Sequence, residues 1–215
     1  MSTVFVLASA SPARRAVLRA AGVEPRIVVS HVDEDAVVAG LANPDHDEVV
    51  VTLAAAKAAD VAARVAGTLG DAVVVGCDSM LLVGGELAGK PGTAQAARDR
   101  WLRMAGGTGE LLTGHAVVRL SGGAPAATAE GVCSTTIRFG RPDPAELEAY
   151  LGTGEPLSVA GGFTIDGRGG WFVDGVDGDP SSVVGISLPL TRRLLAEVGV
   201  SVVSMWCATT ADSPV

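Results

Sequence analysis

Lysine is almost missing from this chain of 215 residues. Only Lys57 and Lys90 occur, and the other 14 of its 16 basic residues are arginine. The scarcity has two readings. Codon bias leaves two survivors by accident, or both positions require a compact ammonium that arginine's planar fork does not replace. Basic residues are also outnumbered: 24 acidic side chains give a net charge of −8. That argues against a nucleic-acid polymer as partner, because neutralising phosphates needs an excess of cations. No apolar run approaches the ~18 residues of a membrane span. The N-terminus lacks a basic segment, and Val4–Ala8 is too short for a signal peptide's apolar core.

Metal and redox motifs are missing too. Cys77, Cys133 and Cys207 lie far apart, with no CxxC or zinc spacing, and read as reduced thiols. His31, His46 and His115 form no HExxH or HxH pattern, so no histidine metal site is expected. A Walker-type loop is absent, which excludes the usual ATPase design.

What is present is a well-punctuated globular chain, 48% hydrophobic and 19% charged. Thr3–Leu7 reads as a strand. Ser11 as N-cap, Pro12 at the first helical position and Gly22 past the end frame a helix over Ala13–Ala21. Arg26–Ser30 reads as a second strand, and 31–43 as an acidic loop or short helix. Asp45 caps a long helix reaching about Val65. Ala72–Gly76 reads as a buried strand that ends at Cys77-Asp78-Ser79, followed by a hairpin of Met80–Val83 and Glu86–Ala88. Thr93 caps the next helix, which ends near Gly106-Gly107. Leu111–Leu120 and Ala127–Phe139 read as long antiparallel strands. Asp143 caps a helix over Pro144–Leu151. Residues 152–185 form a glycine-rich loop region around a short strand, Gly170–Val173. Leu188–Val198 reads as the last helix and Val200–Met205 as the last strand, and 208–215 as a frayed polar tail. Alternating strands and helices with central hairpins predict an α/β fold with a mixed sheet.

Several places could carry chemistry. Ser9-Ala10-Ser11-Pro12-Ala13-Arg14-Arg15 joins a strand to a helix start, where free N–H groups and the helix dipole favour an anion. Arg14 and Arg15 in that first turn are electrostatically disfavoured unless an anion or an acidic partner offsets them. Lys57 falls within the apolar stripe of Val50, Leu53, Ala54 and Val61, so it faces the interior or a cleft, or snorkels from the edge of the stripe. Asp78 follows a buried run, where a carboxylate is paired, functional or a turn cap. In open α/β sheets, strand ends border the ligand crevice. Lys90 sits in Gly89-Lys90-Pro91. Asp33-Glu34-Asp35 is either a solvated acidic loop or a source of oxygen ligands for a divalent cation.

In order along the chain, Ser9-x-Ser11-Pro12-x-Arg14, Leu53-Ala54-x-x-Lys57-Ala58, Cys77-Asp78-Ser79, Gly89-Lys90-Pro91, Thr113-Gly114 and Ala160-Gly161-Gly162-Phe163 through Gly185 resemble the Maf family of nucleoside triphosphate pyrophosphatases. The resemblance implies one domain over 1–207 in two lobes, around a long mixed β-sheet flanked by helices, with a nucleotide-binding cleft between the lobes. It implies hydrolysis of a nucleoside triphosphate, normal or modified, to the monophosphate and pyrophosphate, as house-cleaning of nucleotide pools. It implies a divalent cation, Mg²⁺ or Mn²⁺, and a cytoplasmic protein, often a homodimer. Asp78 is then the catalytic carboxylate, and Glu34 joins it at the metal. Ser9, Arg14, Lys57 and Lys90 are the phosphate ligands. Members acting on thymidine and uridine triphosphates carry two arginines after Ser-Pro. Here Ala13 takes the first place, a spacing more like the subfamily associated with methylated guanosine triphosphate. Ser79 stands where many members have Thr or Gln, and Asp166 where the family carries Gln or an acidic residue. Ala13, Ser79 and Asp166 are therefore the candidate determinants of base choice. The rival class is a nucleotide-binding regulator of cell division that does not depend on catalysis; such a binder needs the cationic clamp but not Asp78.

Overall fold

The computed structural model describes residues 3–207. The expected polar tail at 208–215 lies outside them. Seven strands form one mixed sheet in the order β2-β1-β3-β5-β6-β7, with β4 paired to β3. They are β1 (Val4–Leu7), β2 (Arg26–Ile27), β3 (Ala72–Val83), β4 (Glu86–Ala88), β5 (Thr108–Ser121), β6 (Ala124–Phe139) and β7 (Val173–Asp177). The helices are α1 (Pro12–Ala20), α2 (Glu34–Ala39), α3 (His46–Val65), α4 (Ala94–Met104), α5 (Pro144–Gly152), α6 (Pro180–Val184) and α7 (Leu188–Glu197). The α/β class and the mixed sheet are as the sequence predicts. No helix among the described residues is long and apolar enough to cross a membrane.

The capping residues act as read. Ser11, Asp45, Thr93 and Asp143 each accept a backbone N–H three residues on, and Asp143 forms a full capping box with Glu146. Side-chain alternation sorts the first half of the sheet into two faces. Phe5, Leu7, Val73, Val75 and Val117 pack with Leu18 of α1 and Leu190 and Leu194 of α7. Val6, Val74 and Val118 pack on the other face against Ala54, Ala58 and Val61 of α3. The long strands β3, β5 and β6 continue into a further core, where Trp101 stacks edge-on against Phe139, Tyr150 and Phe172.

Several elements differ from the sequence expectation: β2 is confined to Arg26–Ile27, α6 forms within the expected loop region, and three more change in length or kind. β3 does not end at Asp78. It runs unbroken for 12 residues, because β5 pairs with it from Ala72 to Leu82. Arg168–Phe172 is a 3₁₀ turn, and the strand begins only at Val173. Val202–Met205 is also a 3₁₀ turn; Val202 and Met205 pack onto the core formed by α1 and α7 instead of joining the sheet.

Candidate active site

The site grows from a gap in the sheet. One edge of β3 is paired to β1 through Val75 and to β4 from Leu81. Between them, the stretch from Gly76 to Met80 has no neighbouring strand on that edge among the described residues. The crevice that the sequence suggested at a strand end is therefore made by the end of β1, and Asp78 sits mid-strand beside it.

Alternation puts Gly76 and Asp78 on the α3 face. A Cβ at Gly76 would collide with the Ala54 carbonyl and Ala58 nitrogen, and one at Gly114, the β5 partner of Asp78, with the Val50 backbone. Glycine at these two positions lets α3 lie directly on the sheet. That approach brings Lys57 to Asp78. Lys57 Nζ donates to Asp78 Oδ1 at 2.5 Å and lies 2.7 Å from Glu34 Oε1. The lysine and aspartate side chains are only 9% and 10% exposed, whereas that of Glu34 is 54% exposed. Glu34 opens α2, which Asp33 caps. The acidic cluster thus divides its labour: one carboxylate caps and the next faces Lys57. Burial pushes the Asp78 carboxyl above its ordinary range, Lys57 and Arg14 pull it back, and Glu34 adds to the rise.

Alternation puts Cys77, Ser79, Thr113 and His115 on the opposite face, towards α1, α6 and α7. Arg14 reaches into this layer. Its Nε donates to the Gly185 carbonyl at 2.7 Å, Nη1 to the Cys77 carbonyl at 2.8 Å and Ser9 Oγ at 3.1 Å, and Nη2 to Ser79 Oγ at 3.2 Å. Four of the five guanidinium N–H groups are thereby engaged within the protein. The Cys77 carbonyl, left without a strand partner by the gap, is one of the acceptors. Arg15 points elsewhere and pairs with Glu24 at the surface. Ser9 Oγ also accepts from the Ser11 N–H, which ties the β1–α1 loop together.

Ser9 and Arg14 thus border the gap from one face of the sheet, and Glu34, Lys57 and Asp78 from the other. Ala13 is half-buried in the first turn of α1, and Ser79 shares a hydrogen bond with Thr113 at 3.1 Å. Lys90 is exposed after β4 and makes no ion pair with the described residues. Its loop is anchored through Gly89, whose carbonyl accepts from Arg100 at 2.6 Å and from the Gly161 N–H at 3.2 Å. Asp166 is exposed on a loop that Glu155 holds from beneath, accepting from the Thr164 hydroxyl and from the Arg168 and Gly169 N–H groups. Among the described residues no hydrogen bond or ion pair joins Lys90 or Asp166 to the Lys57 cluster. Glu155, Arg100 and His115 were not singled out by the sequence. Arg100 reaches Gly89, Glu155 reaches Gly169 and His115 reaches Ser187, which are 11, 14 and 72 residues away, so no local motif marks them.

A metal site can be judged from the same geometry. Asp78 Oδ1 and Glu34 Oε1, from β3 and α2, flank the Lys57 nitrogen, so the two carboxylates are neighbours and the second oxygen of each is the one left for a cation. Among the described residues no three His, Cys, Asp or Glu side chains gather as a metal cage. Two carboxylates completed by phosphate oxygens and water are the usual way Mg²⁺ is held, so this donor set fits a hard divalent cation.

A family model described as Maf-like protein matches residues 4–198. A protein of Saccharopolyspora erythraea is 66% identical over 203 residues, which cover 94% of this chain and 96% of that one. One of Nocardia farcinica is 61% identical over 208 residues, covering 96% and 98%, and one of Rhodococcus jostii 60% identical over 210 residues, covering 96% and 97%. Each of the three is named a nucleoside triphosphate pyrophosphatase.

Proposed function

The chain belongs to the Maf-like protein family, and from that premise we propose that it is a nucleoside triphosphate pyrophosphatase. The observation that carries the reading is the buried Lys57 ammonium held between Asp78 and Glu34 at the sheet gap, beside the start of α1. Burying charges is costly, and structural stability alone is better served by apolar packing. A paired cation and carboxylate at an opening suit a substrate that brings its own negative charge.

In this mechanism the water oxygen attacks the α-phosphorus, and the bond from that phosphorus to the bridging oxygen of the β-phosphate breaks. The products are the nucleoside monophosphate and pyrophosphate. Asp78 orients the water and takes its proton; the upward push of burial makes it a better base than an exposed aspartate. Lys57 neutralises charge on the phosphates, a role a point charge performs without the fixed geometry of a guanidinium. Ser9 and the first N–H groups of α1 bind phosphate oxygens. Arg14 adds its charge and its one remaining N–H, while its other four bonds hold Ser9, the Cys77–Ser79 segment and Gly185 in place. Lys90 reaches the substrate from the far side of the cleft. Asp78 and Glu34 would hold a Mg²⁺ or Mn²⁺ ion, which supplies further neutralisation of the triphosphate.

The finer reading places the protein in the cytoplasm, clearing normal or modified nucleotides from the pool. Ala13, Ser79 and Asp166 set base choice. The test is pyrophosphate release from a panel of normal and base-modified triphosphates with Mg²⁺ or Mn²⁺. Release from at least one is expected. Binding without release from any would favour the regulator of cell division.

A further inference from the structure

We infer that His115 is a positioning residue for the phosphate site, fastening from within the core the α6–α7 corner that Arg14 grips from the cleft. The inference rests on the functional reading above and extends it to a residue that touches no substrate.

His115 is fully buried on β5. Its Nδ1 lies 2.9 Å from the Thr113 carbonyl, and its Nε2 lies 2.8 Å from the Ser187 nitrogen. A carbonyl only accepts and a backbone N–H only donates, so Nδ1 carries the proton and Nε2 is a bare acceptor. Thr113, two residues earlier on the same face, donates to the Ser182 carbonyl at 3.3 Å. The two β5 side chains therefore hold both ends of the segment from Ser182 to Ser187. Gly185 lies between them at φ +125°, a conformation that disfavours other residues. Its carbonyl is the one that receives Arg14 Nε. Ser187 also caps α7 by accepting the Leu190 N–H, so its placement is fixed on both sides.

The arrangement needs a neutral ring. Burial pushes His115 down to about 4, Arg14 adds to the fall, and Asp179 and the Thr113 carbonyl oppose it. Cys77, its β3 partner, is a thiol pushed up to about 11 and adds no charge. At neutral pH the acceptor on Nε2 is therefore retained.

The experiment compares His115→Leu, which fills the space without an acceptor, with His115→Gln, whose amide oxygen can still accept from Ser187. Binding of the α,β-methylene analogues of guanosine and uridine triphosphate is measured by calorimetry with Mg²⁺, alongside KM, kcat and thermal melting. The leucine variant is expected to weaken analogue binding by about 5- to 50-fold, as small misplacements at a phosphate site do, with KM rising more than kcat falls. The glutamine variant is expected to restore most of the loss. If the leucine variant does not fold, His115→Asn, too short to reach Ser187, replaces it with the same expectation. A folded variant without the acceptor that binds as the wild type does overturns the inference alone. A wild type that binds neither analogue and releases pyrophosphate from no triphosphate of the panel overturns the functional reading together with it.

Discussion

Lys57 Nζ donates to Asp78 Oδ1 across the interface of α3 and β3, at 2.5 Å and nearly out of solvent. The pair depends on α3 lying close to the sheet, and it splits the chain's two lysines into different kinds. Lys57 is buried between carboxylates; Lys90 is exposed on a loop.

The two lysines should therefore fail differently. Lys57→Ala removes one partner of a buried ion pair, which typically costs about 3–5 kcal/mol, so melting temperature and kcat should both fall. Lys57→Arg should also lose activity, since the planar fork does not replace a point charge between two carboxylates. Lys90→Ala should leave the melting temperature unchanged and raise KM by about tenfold. Melting curves and steady-state kinetics check both.

Gly114→Ala places a Cβ into the Val50 backbone. Overpacking of this kind costs about 1–3 kcal/mol and forces α3 outward, which moves Lys57 from Asp78. Chemical denaturation should show the stability loss, and pyrophosphate release should fall more than stability alone explains. A variant as active as the wild type would mean that the close approach of α3 is not needed for catalysis.

Much of the fold is visible in the sequence because it is written locally. Ser11, Pro12 and Gly22 frame α1, and Asp143 with Glu146 starts α5. Lys57 stands out because it interrupts an apolar stripe, which allows the interior, a cleft or snorkelling, and the close approach of α3 at Gly76 and Gly114 decides for burial. The length of β3 is not readable, since Cys77-Asp78-Ser79 looks like a break and only pairing with β5 carries the strand through it. Arg14 shows the same limit. Its position marks a helix start and suggests a free anion ligand, but its partners at Cys77 and Gly185 are 63 and 171 residues away. Helix α6 has five residues and no periodicity to read.

Base choice should move with Asp166. A carboxylate only accepts hydrogen bonds, so it favours a base edge that presents donors, such as that of guanine or the N–H of uracil. Asp166→Asn should change the ratio of kcat/KM between guanosine, uridine, thymidine and cytidine triphosphates by about 10- to 100-fold, without a general loss of activity. Unchanged ratios would make Asp166 a turn residue of the loop that Glu155 holds.

Stability should fall in mild acid through His115. Its folded value is depressed to about 4 from 6.5, so the unfolded chain binds the proton first. The contribution is fully present above pH 6.5 and is lost as pH falls towards 4, about 2 kcal/mol of it by pH 5. Urea denaturation at pH 7.5 and pH 5 measures the difference, and His115→Gln should show a smaller one.

In the proposed mechanism the hydrolysis at this gap depends on Asp78. The direct measurement is the single-turnover rate of pyrophosphate release by the wild type and by Asp78→Asn, using the preferred triphosphate with Mg²⁺ or Mn²⁺. The substitution keeps the shape and removes the base and the negative charge beside Lys57. The rate should fall at least about 100-fold in protein that circular dichroism shows to be folded. Release by the asparagine variant at close to the wild-type rate would contradict the account.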